Sequence, residues 1–121
     1  MSNLINLDYG KFFDEILHLD QKIKFIAIYD GHFFAKFRDD DEYFRKHEIK
    51  ASLYKAQQRW DFCKNQSFKT GAPKFAMTQD GKVNRLTIPI GNGVILLTVE
   101  LSVGVNALTD KIIKIHNGIF N

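Results

Sequence analysis

Apolar positions along this chain recur at two different periods, and the places where the period changes mark its elements. Tyr9, Phe12, Phe13, Ile16 and Leu17 stand three and four apart, which predicts an amphipathic helix over residues 8–19, capped by Asp8 or beginning as early as Asn3. Ile23-Lys24-Phe25-Ile26-Ala27-Ile28-Tyr29 is a β-branched and aromatic run, and His32-Phe33-Phe34-Ala35-Lys36-Phe37 follows it across Asp30-Gly31. Asp-Gly between two such runs predicts a hairpin, because the turn requires positive φ and glycine supplies it without strain. The unbroken apolar stretch 25–29 predicts an inner strand covered on both faces, and Lys36 and Arg38 beside Phe37 predict a more exposed neighbour.

A helical period returns with Ile49, Leu53, Ala56, Trp60 and Cys63, spaced four, three, four and three. Such a stripe packs on a sheet or on another helix. The acids Asp39, Asp40, Asp41 and Glu42 precede it, where a helix N-terminus favours negative charge. Residues 64–72 lose the period and are expected to form a surface loop, with Gly71 and Pro73 ending any helix. Three strands are then expected at 74–78, 82–90 and 94–103, joined at Asp80-Gly81 and Gly91-Asn92-Gly93. Pro89 cannot donate to a ladder and belongs at a strand end or edge. Asn106 is expected to cap a last helix whose stripe is Leu108, Ile112 and Ile115, ending near Asn117-Gly118. The order is helix, two strands, helix, three strands, helix. It predicts one α+β domain over residues 1–121 with a five-stranded antiparallel sheet and helices packed on it.

Composition narrows the class. With 121 residues, 45% of them apolar, and eleven phenylalanines, the chain is long enough for one packed core and too apolar for global disorder. The single cysteine, Cys63, excludes an intramolecular disulfide framework and a multi-cysteine zinc site, and fits a reducing compartment. No basic segment followed by an apolar stretch opens the sequence, and even its longest apolar runs, residues 25–29 and 94–97, fall far short of the ~18 that a membrane span needs. A cytoplasmic protein without a membrane span is expected.

The formal charge of +3 is local. Arg45, Lys46, Lys50, Lys55, Arg59, Lys64, Lys69 and Lys74 lie among only Glu42, Glu48 and Asp61. The first seven form a candidate basic surface able to attract an anionic partner, and the plain alternative is a solvated helix face. Trp60, Phe62 and Phe68 could stack single-stranded bases, but Trp60 belongs to the apolar stripe and the charge excess is moderate, which argues against nucleic acid.

Candidate chemistry is sparse. His18, His32, His47 and His116 fall on different predicted elements, and His47-Glu48 lacks the second histidine of a zinc-protease helix. The run Asp39 to Glu42 has neither the alternate ligand spacing nor the glycine of a calcium loop. Cys63 lies near the C-terminal end of its helix, without the helix N-terminus or base that lowers a thiol pKa, and reads as a small buried hydrophobe. Gly91-Asn92-Gly93 sits between strands and is a turn rather than a phosphate cradle. No nucleophile elbow, P-loop or dinucleotide fingerprint occurs. A non-enzyme with no metal, cofactor or catalytic residues is therefore expected. The long helix can bury only one side, so Phe44, Ala51, Tyr54 and Phe62 on its other flank are candidates for a partner or dimer interface.

Two stretches carry a resemblance. Leu17-His18-Leu19-Asp20-Gln21-Lys22-Ile23-Lys24-Phe25-Ile26, with Asp30-Gly31 and Arg38, and later Lys82-Val83-Asn84-Arg85-Leu86-Thr87-Ile88-Pro89-Ile90, are similar to an archaeal family of small single-domain proteins with no established chemistry. The order of elements resembles the roadblock/dynein light chain family, whose sheet topology is shared with longins, profilins and PAS domains. One long second helix favours roadblock over PAS. That resemblance implies a non-catalytic regulatory or scaffolding module, homodimeric through the second helix and an adjacent edge strand, with a small GTPase as partner. The readings that compete with it are a PAS-like small-ligand sensor and a nucleic-acid binder using the basic 45–74 segment.

Overall fold

The computed structural model describes residues 2–29, 33–38, 56, 58–61, 74–90 and 93–120, the side chains of residues 2–7 excepted. Helix α1 (Ser2–Leu19) leads into strands β1 (Ile23–Tyr29) and β2 (Phe33–Phe37). A helical segment at residues 56 and 58–61 follows, then β3 (Ala76–Asp80), β4 (Val83–Ile90), β5 (Gly93–Glu100) and a final helix, α2 (Val105–Phe120). The order of helices and strands is the expected one. The strands form one antiparallel sheet in the order β2-β1-β5-β4-β3, so β1 is an inner strand, as its pattern predicts, and its more exposed neighbour β2 lies at an edge.

Both faces of the sheet are covered. On the first, Tyr9, Phe12, Phe13, Ile16 and Leu17 of α1 and Leu108 and Ile112 of α2 pack with Ile26, Ile28, Leu86, Ile88, Ile95, Leu97 and Val99. On the second, Ala56 packs with Phe25, Ala27 and Leu96, flanked by Phe33, Ala35, Phe37 and Val94. A register shift in the β1–β5 ladder between Ile23 and Phe25 explains how Ile23 and Ile26 reach the first cluster while Phe25 reaches the second. Strict alternation would put Ile23 and Phe25 together, and a bulge of one residue separates them.

Four elements, α1, β3, β5 and α2, have boundaries that differ from the sequence reading. Helix α1 begins at Ser2, which places Asp8 inside it, exposed, rather than at its cap. Strand β3 runs over Ala76–Asp80 instead of 74–78, because Asp80 pairs with Val83 and closes a two-residue loop. In that loop Gly81 has φ of +64°, and Lys82, like every other non-glycine among the described residues, has no positive φ, the pattern of a type II′ turn with glycine first. Strand β5 ends at Glu100 rather than at 103, since the Val103 N–H turns back to the Glu100 carbonyl at 3.2 Å. Helix α2 begins at Val105, with Leu108 N–H donating to the Gly104 carbonyl at 3.1 Å, so Asn106 lies in the first turn and does not cap. It also passes through Asn117 and Gly118 to Phe120. The Phe120 ring lies 5.2 Å from Tyr9 and 5.8 Å from Phe12, and that burial outweighs the ~1 kcal/mol disadvantage of glycine in a helix.

Candidate functional site

The second face of the sheet changes character across its width. One row of paired residues runs Phe37, Phe25, Thr98, Arg85, Thr78, and the next runs Ala35, Ala27, Leu96, Thr87, Ala76. The β2–β1 half is therefore apolar, and the β4–β3 half carries hydroxyls and an arginine. The helical segment spans both. Ala56 lies on the apolar half, and Arg59, one turn later, donates from Nε to Thr87 Oγ1 at 3.0 Å and from Nη1 to Thr78 Oγ1 at 3.3 Å. Arg85 is paired with Asp80 at the sheet margin. Charge-bearing donors meeting hydroxyls in a buried layer fix position, because each unmet group would cost a desolvation penalty.

Arg59 was expected on the basic surface and is not there: it is 9% exposed and belongs to the interior. Its spacing of three from Ala56 turns it toward the sheet, and Thr87 and Thr78 give its guanidinium acceptors that a stripe of purely apolar positions would not reveal. Trp60, expected in the buried stripe, is half-buried. The remaining expected interface residues, Phe44, Ala51, Tyr54 and Phe62, lie outside the described residues, as do Arg45, Lys46, Lys50, Lys55, Lys64 and Lys69 of the basic surface. The same holds for Ile49, Leu53, Cys63, Phe68, His32, His47 and the acidic run 39–42. Lys74 is described and pairs with Asp110 of α2 at 2.8 Å.

The two edges of the sheet are not alike. Strand β2 carries Lys36, exposed and bound to Asp14 of α1, and a charged lysine within an edge strand discourages a further strand. Strand β3 reads Ala76, Met77, Thr78, Gln79, Asp80 and holds neither lysine nor proline. Its Met77 is 44% exposed, one of the largest exposed apolar side chains among the described residues. No hydrophobic periodicity distinguishes β3 from any other short strand, so its role as an edge is legible only once the sheet order is known.

A second feature lies where α1 ends. Arg38 donates from Nε to the Ile23 carbonyl at 2.7 Å and from Nη2 to the carbonyls of Leu17 and Asp20. It thereby fastens the last turn of α1, whose carbonyls have no intrahelical donors, to the strand that follows. Beside it is a cleft of about 210 Å³ lined by Asp14, Leu17, His18, Lys36, Phe37 and Arg38.

His116 is packed between the helices of the first face, edge-on to Phe12 with ring centres 5.6 Å apart and 4.7 Å from Phe120. Burial there lowers its pKa, and a hydrogen bond with Asn117 opposes the shift in part. Among the described residues, no three of His, Cys, Asp and Glu gather to hold a metal ion, and no helix is long and apolar enough to cross a membrane. No protein-family model and no curated protein matches the chain.

Proposed function

We propose that the protein is a non-catalytic interaction module that works as a homodimer in the cytoplasm, two copies pairing through β3 to form a platform for a signalling partner, by its resemblance a small GTPase. The observation that carries this reading is the β3 edge. It is short and apolar at Met77, and it lacks the protecting lysine that β2 has. Antiparallel pairing about a two-fold axis at Thr78 would set Met77 of one copy against Gln79 of the other and continue the sheet across both, in the self-complementary manner of a two-fold interface. The roadblock resemblance from which the partner is taken rests on the order of helices and strands along the chain.

Sedimentation equilibrium tests it. Wild type is expected to approach twice 14.0 kDa with rising concentration, and Met77→Lys, which gives β3 the protection of β2, to weaken association by about tenfold or more. A wild type that stays monomeric at every concentration would remove the proposal. The nucleic-acid reading loses Arg59 from its basic surface, and no observation favours the ligand-sensor reading between sheet and helices.

A further inference from the structure

We infer that the cleft between the end of α1 and β2 binds a phosphomonoester. Its volume of about 210 Å³ far exceeds the ~10–15 Å³ that one water needs on the same measure, enough for a phosphoryl group with a small substituent. Three nitrogen-bearing side chains line it. Arg38 has both Nη1 hydrogens without a partner among the described residues, its Nε and Nη2 being taken by three backbone carbonyls. Those three bonds also hold the guanidinium in place before any ligand arrives, which lowers the ordering cost of binding. His18 donates from Nδ1 to the Asp14 carbonyl at 2.6 Å, leaving Nε2 unbonded. Lys36 Nζ has one partner, Asp14 Oδ1.

The charge balance selects the ligand. Among the described residues that line the cleft, Arg38 and Lys36 outweigh the single carboxylate of Asp14, so an anion is favoured over a cation. Arg38 Nη1 and Lys36 Nζ donate to two oxygens of a phosphomonoester, and His18 Nε2, an acceptor because Nδ1 carries the proton, takes the P–OH of its monoanion, a contact that a carboxylate, having no hydroxyl, does not offer; charge-assisted bonds to phosphate are the strong kind. Leu17 and Phe37 supply an apolar wall for the substituent. Asp14 is then an internal competitor: it holds Lys36 in the empty site, and the phosphate takes its place. The cleft belongs to the β2 edge, opposite β3, so this inference is independent of dimer formation.

The experiment is a titration of the full chain, followed through its backbone amide resonances, with inorganic phosphate, methyl phosphate, acetate and chloride. Both phosphates are expected to shift Leu17, Phe37 and Arg38 saturably, and acetate to bind at least about tenfold more weakly. Lys36→Gln should weaken phosphate roughly fivefold, the worth of one net hydrogen bond, and Asp14→Asn should strengthen it by a similar factor. Both side chains are about half exposed, so the variants should melt within a few degrees of wild type. No saturable shift below about 10 mM, acetate binding as well as phosphate, or an Asp14→Asn variant that binds no more tightly would each overturn the assignment.

Discussion

Removing the side chain of Arg59 leaves the buried hydroxyl of Thr87 without its donor and empties space beneath the helical segment. Arg59→Ala is therefore expected to lower the unfolding free energy by about 2–3 kcal/mol, against at most ~0.5 kcal/mol for an arginine on a solvated face. Urea unfolding distinguishes the two. Thr109 is the opposite case. Its Oγ1 is fully buried with no hydrogen-bond partner among the described residues, so Thr109→Val, which keeps the shape and removes the unmet hydroxyl, is expected to be neutral or stabilising by up to ~1 kcal/mol. A loss of more than that would show that the hydroxyl has a partner. His116 makes stability depend on pH. Its folded pKa lies below the ordinary value of about 6.5 because burial disfavours the charged ring, so the unfolded chain binds the proton more readily. The contribution of the neutral ring is complete above about pH 6.5 and is lost as the pH falls through the folded pKa. Melting curves at about pH 7.5 and 5.5 should show a smaller drop for His116→Gln than for wild type.

Elements were legible in the sequence where a period ran long or a turn carried glycine. The apolar spacing of α1 and the Asp80-Gly81 turn revealed that a helix and a hairpin are there, though not where α1 and β3 begin, and Gly81→Ala, which forces an L-residue to a φ of +64°, should cost roughly 1–2 kcal/mol. Boundaries were less legible, because tertiary contacts rather than propensity decide them. Gly118 looks like a stop until Ile119 and Phe120 are seen against the core. Leu101 and Val103 continue the apolar run of β5 in sequence, but the chain turns at Glu100. The bulge that splits Ile23 from Phe25 was illegible, since an unbroken apolar run hides which face each residue takes. Arg59 was misplaced for a related reason: charge suggested solvent, and only the threonines on two strands distant in sequence explain its burial.

At the scale of the whole molecule, two terminal helices close one face of the sheet, a helical segment closes part of the other, and the margins decide what the protein can join. That both faces would be covered could be read from the apolar patterns of the chain. Which strand would lie at which edge could not, because strand order depends on pairings between distant segments that no local pattern encodes. The cleft beside Arg38 was equally hidden, being built from residues 14–18 and 36–38 that only the β1–β2 hairpin brings together. Hydrogen exchange followed amide by amide, at high and low protein concentration, tests the pairing of two copies most directly. The amides of β3 that point away from β4 should be protected at high concentration and lose that protection on dilution, while those of β2 that point away from β1 exchange freely throughout. Equal and concentration-independent exchange at the two edges would contradict the account.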